Sequence, residues 1–591
     1  MERSTSSEKE AAVNPEPGPP PRTLTPRALG LGALIGVLMG LSNLYVGLKT
    51  SLAFPAALIA CVVGLGAQRL LRRWSPTRFG PGLSLQETSA LQSSASSAGY
   101  STGGTLISAS VAYLLLSGHH PPLWALVAWT LFSSALGVLL ALPLQRAFIH
   151  RDALPFPSGM AAASVARSFH AGDAEGRRGA RALGLGALGA GVLALARDGL
   201  GLLPAALALP GRLFGVPLAS LGFGVDLTLL PLGTGAIVGP RIGLSLLLGA
   251  LVCFGGLVPW LHGRGWIAGT DFLLVLEWSM WPAAALVTSA SFGHLLLHKG
   301  LLRRTVGALL DTRRSEALTP PAEDVPRAAF LVGVALLTLG LVTVGGVALG
   351  IPWPLGLLGV ALSFALAAVA CRTTGETDVT PTGPLGQVAQ LLFGVLLPGN
   401  TVANAMAASL SGNIAASSAD LLTDVKAGHL LGVSPRRTFL AQLWGCVVGS
   451  LLIVPVFYLL VPDASVLTEE RFPAPAGYIV AGMARVLASG LEGLSLAARG
   501  GIALGAAVGL GLVLLERLVP ERLQRLLPSP IALGLAFALP ASLSLSICGG
   551  ALAAALLARL RPALAQSLTV PLASGLITGE SLVSLAVLLR P

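Results

Sequence analysis

Apolar runs long enough to cross a bilayer, about 20 residues each, recur along this chain from Ala28 to its last residues. They fall at 28–48, 51–71, 86–117, 122–149, 182–208, 228–261 and 268–298, then at 327–350, 353–371, 386–421, 438–461, 476–490, 497–516, 530–560 and 566–589. Several are longer than one crossing needs and leave room for a turn or two half-helices. The pattern predicts an all-α polytopic membrane protein of about sixteen transmembrane helices, some of them broken or re-entrant. Trp124, Trp129, Trp260, Trp278, Trp281 and Trp353 lie near segment ends, as interfacial anchors do.

The two halves of the chain echo one another. Leu154-Pro155-Phe156-Pro157-Ser158-Gly159 is followed by a small-residue run ending in Val165-Ala166-Arg167, and Phe472-Pro473-Ala474-Pro475-Ala476-Gly477 by one ending in Met483-Ala484-Arg485. Ala95-Ser96-Ser97-Ala98 recurs as Ala416-Ser417-Ser418-Ala419, Leu230-Pro231-Leu232-Gly233 as Leu527-Pro528-Ser529-Pro530, and Leu276-Glu277-Trp278-Ser279 falls opposite Gly579-Glu580-Ser581-Leu582. Four pairings in one order, each roughly 300 residues apart, indicate a duplication. The expected organisation is a polar tail at 1–27, a first membrane repeat at 28–298, a basic linker at 299–326 and a second repeat at 327–591. Both halves then begin after a basic stretch, so the expectation is two halves in parallel orientation with a site where they meet.

Composition agrees with the hydropathy pattern. The chain is 53% hydrophobic and 11% charged, with a mean hydropathy of +0.78, whereas soluble domains carry about 25% charged residues. A net charge of +11 would suit a nucleic-acid binder, but the cations gather in alternate connections. They are Arg69, Arg72, Arg73 and Arg78; Arg146 to Arg181; Lys299 to Arg314; Lys426, Arg436 and Arg437; and Arg517, Arg522 and Arg525. The connection at His119-His120-Pro121-Pro122 has none, and that from Asp463 to Pro475 has only Arg471. This alternation places the basic loops and the N-terminus in the cytoplasm and leaves no nucleic-acid partner to expect. The five cysteines stand singly with no C-x-x-C, which argues against a disulfide framework or metal site. His294 and His298 have i, i+4 spacing, but Lys299 adjoins the second, so they read as a solvated helix end. No cofactor is expected.

Candidate chemistry lies in the polar residues within the apolar runs. Asn43, Tyr45 and Lys49 close the first segment beside Thr50; the Gly-x-Lys-Thr there lacks both glycines of a phosphate loop, with Asn43 and Leu48 in their places. Gln92 stands among Ser93, Ser94, Ser96 and Ser97, and its counterpart stretch carries Asn400, Asn404, Asn413 and Asp420. Serines and alanines serve close helix packing; amides are costlier to hide from water and are the better markers of a substrate pathway. Glu376 and Asp378 lie in Gly375-Glu376-Thr377-Asp378-Val379-Thr380-Pro381-Thr382-Gly383-Pro384, an acid-bearing break between apolar runs. With Glu87, Glu277 and Glu580 they are the candidates for proton coupling, because carboxyls at membrane depth are costly and mark ion pathways. Asp424, near Lys426, is expected at an interface.

Asn43 to Thr50 with Phe54-Pro55, Leu154 to Gly159, Gly375 to Pro384 and the Asn404 to Lys426 stretch together resemble the oligopeptide transporter family, in its prokaryotic branch related to yellow-stripe-like carriers. The resemblance runs from Ala28 to Leu589. It implies about sixteen helices and proton-driven import, across a bacterial inner membrane, of small peptides or of metal bound to amino-acid-derived chelators. The Asn-Pro-Gly and Lys-Ile-Pro-Pro-Arg signatures of the fungal and plant peptide branch are absent. The expected partners are that solute, protons and the lipid bilayer, with the chain as a monomer or a homodimer. The rival reading is an intramembrane enzyme with an acid pair at Glu376 and Asp378; an aspartyl protease would want its acids on separate helices, not two residues apart.

Overall fold

A computed structural model describes residues 23–50, 60–61, 63–64, 66–68, 73–75, 82–100, 103–171, 174–204, 206–267, 269–297, 325–377, 380, 382–468, 471–489, 495–524 and 526–588. The chain is an all-α polytopic membrane protein. Its first part contains α1 (Pro26–Thr50), α2 (Leu85–Tyr100), α3 (Val111–Ser117), α4 (Leu123–Gln145), α5 (Pro157–Ala171), α6 (Ala174–Ala194), α7 (Leu230–Val238), α8 (Pro240–Ala250) and α9 (Phe272–Leu297). Then come α10 (Arg327–Ala348), α11 (Trp353–Thr377), α12 (Thr382–Leu396), α13 (Thr401–Leu430), α14 (Pro435–Leu460) and α15 (Pro475–Ser489). The chain closes with α16 (Leu496–Leu518), α17 (Pro530–Leu535), α18 (Ala541–Leu560) and α19 (Pro562–Leu588). Where the hydropathy reading has one apolar run end at 208, four short strands, Ala206–Ala208, Arg212–Leu213, Val216–Pro217 and Gly224–Asp226, form two antiparallel ribbons.

Among the described residues nine helices are long and apolar enough to cross a membrane, against about sixteen expected. Part of the difference is the expected span 51–71, most of which lies outside the described residues; two further features contribute. Helix α13 is 30 residues long but carries Asn404, Asn413, Asp420 and Asp424. Helices α5 and α15, 15 residues each, rise only about 22 Å, short of the ~30 Å hydrocarbon core. Of Gly375 to Pro384, expected as a break, residues 375–377 end α11 and residues 382–384 begin α12, and between them only Thr380 is described.

The duplication is visible element by element. Helices α1 and α11 have 25 residues each. Helices α4 and α14 each carry an interior proline, Pro143 and Pro455, as do α9 and α19 at Pro282 and Pro571. The tight pair α6 with α19 matches α16 with α9, glycine against helix in both: Gly186 meets Leu572, and Gly505 meets Pro282.

The matched helices run in opposite directions. Arg27 meets Glu87 and Gly36 meets Ala98, so α1 and α2 are parallel. Gln92 meets Asp424 and Ser96 meets Asp420, so α2 and α13 are antiparallel. Gly359 meets Leu410 and Ser363 meets Ser411, so α13 and α11 are parallel. It follows that α1 and α11 are antiparallel and that the repeat is inverted, not parallel as loop charge led one to expect. The cause is α10, which has no counterpart in the first unit among the described residues. It adds one crossing, so the second unit starts at Trp353 from the other side.

Small residues let these helices touch. A Cβ built on Gly36 of α1 would lie 2.6 Å from Ala98 Cβ and 2.9 Å from the Ala95 carbonyl oxygen, and one on Gly449 of α14 would lie 2.7 Å from the Ala98 carbonyl oxygen. Overpacking of such a contact costs about 1–3 kcal/mol. Gly36→Val is therefore expected to lower thermal stability in detergent by that order. Gly30→Ala in the same helix, where a Cβ meets nothing within 4 Å, should leave the unfolding temperature unchanged or raised. Equal effects at the two positions would refute the close approach.

Candidate functional site

Helix α13 supplies the centre of the site. Asp420 and Asp424 are one turn apart and so share a helix face, and that face meets α2 and α14. Ser96 Oγ donates to Asp420 Oδ1 at 2.7 Å, and Gln92 Nε2 to Asp424 Oδ1 at 2.7 Å. Gln442 of α14 bridges the pair: its Nε2 donates to Asp420 Oδ2 at 3.0 Å and to Asp424 Oδ2 at 2.7 Å. Gln442 is fully buried, Gln92 and Asp424 are 1% exposed and Asp420 8%. No cation among the described residues lies within ion-pair distance of either carboxylate. The amide must face this way, since turning it would set its oxygen against two carboxylates.

Among the described residues the Gln442 oxygen has no partner, and the oxygens of Asn404, Gln390 and Asn413 repeat that condition. Asn404 donates to the Gln390 carbonyl at 2.7 Å, Gln390 to the Val480 carbonyl at 2.7 Å, and Asn413 to Ser133 Oγ at 2.7 Å and Ser134 Oγ at 3.0 Å. In each the oxygen is left without a donor. A buried acceptor without a partner is uncommon and needs an occupant or a reason.

The structure separates the residues that the sequence grouped. Asp420 and Gln92 belong to one network. Asn413 packs on α4, while Asn404, nine residues earlier and so about 180° around the helix, faces α12. Asn400 caps α13, its side-chain oxygen accepting from the Ala403 N–H at 2.9 Å, and its amide donates to the Gly350 carbonyl at 3.3 Å. Asn43 donates to the Gly99 carbonyl at 3.0 Å, tying α1 to α2. Tyr45 stands edge-on to Phe472 with ring centroids 5.7 Å apart, and Lys49 Nζ lies 5.4 Å from the Tyr45 ring centre. Among the acids, Glu87 is held by Arg27 Nε and Nη2, both at 2.8 Å, and by Thr25, at the first turn of α2. Glu580 pairs with Arg197 at 2.8 Å and accepts from the backbone N–H groups of Leu229 and Leu230 at the start of α7. Arg197 also binds Asp198 at 2.6 Å, and Ser584 donates to Asp198. Both Glu87 and Glu580 are thus held in structural ion pairs. The side chains of Glu277 and Glu376, and all of Asp378, lie outside the described residues.

Asp424 corrects the expectation of an interfacial carboxylate: Lys426 lies two positions on, but α13 turns Asp424 into the α2–α14 contact. Gln442, Arg197 and Asp198 were not singled out from the sequence. Their signal is a lone amide or ion pair in an apolar run, with the i, i+4 spacing of Asp420 and Asp424 for the pair itself.

An inverted pair of helical units with buried carboxylates and unpartnered amides at membrane depth defines a membrane transport protein. The family model described as OPT oligopeptide transporter protein matches residues 23–589, and the chain belongs to that family. A Haemophilus influenzae protein whose name assigns it provisionally to oligopeptide transport is 24% identical over 91% of this chain and 91% of its own length. A rice protein named, also provisionally, as a metal-nicotianamine transporter is 23% identical over 95% of this chain and 89% of its own. Rice iron-phytosiderophore transporter is 24% identical over 95% and 90%. The intramembrane-enzyme reading finds no support among these relatives.

Removing the Gln442 bridge is a direct check on the network. Gln442→Leu leaves two buried carboxylate oxygens without their donor, a loss of about 1–3 kcal/mol or more. The expected result is a lower unfolding temperature in detergent, with a deficit that shrinks as pH falls and protonated carboxyls supply their own donors. A pH-independent deficit would show that Gln442 acts through packing alone.

Proposed function

We propose that this chain imports a small peptide or an amino-acid-derived metal chelate across a bacterial inner membrane, driven by protons, with its N-terminus and basic loops in the cytoplasm. The observation that carries the coupling is the Asp420–Asp424 pair under its single amide bridge. Two buried negative charges with no cation among their described partners would cost several kcal/mol per ion. One shared proton removes a charge and adds an O–H donor, and the two groups then titrate as a unit. Taking up that proton from one side and releasing it to the other couples solute movement to the gradient. The unpartnered oxygens of Asn404 and Gln390, together on the α12 side of α13, suit a solute that carries N–H donors. Relatives are named for both classes, so the choice between peptide and chelate rests with transport measurements.

Proteoliposomes with an imposed pH gradient, offered di- to hexapeptides and iron–nicotianamine, test this reading. Asp424→Asn is expected to lose gradient-driven accumulation at least tenfold, in the range of about 1.4 kcal/mol of coupling or more, while keeping exchange of internal for external substrate. Glu376→Gln is the comparison, since the sequence alone points there. Wild-type accumulation by Asp424→Asn would move the coupling proton elsewhere, and its loss in Glu376→Gln would assign it to Glu376.

A further inference from the structure

The two proline-bearing loops that the sequence singled out are built alike. Phe156 and Ala474 stand at φ 44° and 41°, left-handed backbone that few side-chain-bearing residues adopt, and each directly precedes a proline, where the backbone is already restricted. Each N–H reaches a carbonyl at the end of a helix in the other unit: Phe156 to Gly375 of α11 at 3.0 Å, and Ala474 to Leu48 of α1 at 2.8 Å. Three residues before each of those carbonyls a second contact fastens the same loop. Arg372 Nη1 binds Asp152 at 3.1 Å, and Asp152 also takes Arg151 at 3.0 Å. Tyr45 meets Phe472 edge-on. The helix positions correspond, the loop positions do not, since Asp152 lies four residues before Phe156 and Phe472 two before Ala474, and one fastening is ionic and the other aromatic. Because α1 and α11 run in opposite directions, the two fastenings lie toward opposite ends of the bundle.

We infer that these loops are the two gates of the transport pathway, an ionic latch at Asp152–Arg372 and an aromatic latch at Tyr45–Phe472, that open alternately. This rests on the transport reading given above. Strained backbone persists only where its surroundings hold it, and it gathers at switch regions. Breaking the Phe156 or Ala474 hydrogen bond frees that residue to relax, so each latch favours its own opening once released. The units are joined crosswise, each loop resting on the other unit's first helix, so a rotation of one unit against the other that tightens one latch loosens its partner.

Cys371 reports on the ionic latch. It is fully buried in one apolar cluster with Leu154 and Phe156, next to Arg372. In full-length protein in vesicles, with Cys61, Cys253, Cys446 and Cys548 replaced by alanine, the rate of Cys371 labelling by an impermeant maleimide is measured from each face without substrate. Asp152→Asn and Arg372→Gln are each expected to raise labelling at least tenfold, and only from the face at which α11 ends. The charge-swapped pair Asp152→Arg with Arg372→Asp should return it to within threefold of the parent; if that pair does not insert, the single variants decide. Phe472→Ala, which weakens the opposite latch, should slow Cys371 labelling, whereas general loosening would speed it. Unchanged labelling in both single ionic variants, or equal acceleration by Phe472→Ala, overturns the inference. Since no substrate enters this assay, a failure of the proposed substrates to be taken up would count against the functional reading and leave the latches standing.

Discussion

The antiparallel contact of α2 with α13 is the constraint on which the rest of the molecule depends. Both helices are made of small and polar residues, so neither has an apolar face wide enough to sit in lipid, and each is buried along nearly its whole length. They must therefore be enclosed by the more apolar helices α1, α4, α11 and α14. Enclosure in turn strands their polar side chains away from water, and every one of those must find a partner or stay costly. Ser96, Gln92 and Gln442 satisfy Asp420 and Asp424 in part; the amide oxygens left over are the residue of that compromise. Close packing and buried polarity are here the same set of contacts.

The two charged centres differ in the charge of their donors. Around Glu580, Arg197 and the N–H groups of α7 satisfy the carboxylate fully, as a structural ion pair requires. Around Asp420 and Asp424 every donor is neutral. Neutral donors hold a carboxylate in place without fixing its charge, which is what a group that exchanges protons needs.

Much of this was legible in the sequence. The all-α membrane architecture and the paired proline-bearing loops follow from hydropathy and self-similarity, because a bilayer leaves the chain little choice. The orientation of the duplicate was not legible, since it depends on the parity of crossings, and α10 looks like any other apolar run. The Asp424 environment was hidden for a different reason. A residue two positions from a lysine reads as interfacial, yet helical periodicity turns the two side chains about 200° apart. Ion pairing of Glu87 and Glu580 joins residues 60 and 383 positions away, a distance at which local pattern carries no information.

Helix α10 has a consequence for how such a chain arises. Only 17% of its apolar stretch is buried, and Leu331, Val332, Leu336, Leu339 and Val347 face outward, so it contributes little to the packed interior. Its work is done at insertion: it carries the chain back across the bilayer, so that a tandem copy of the ancestral unit enters upside down. A gene fused to its own copy through such a connector gains an inverted twin in one event, without an ancestor that had to insert both ways round. The span with the smallest buried share among the nine candidates is then the one that sets the direction of the second unit.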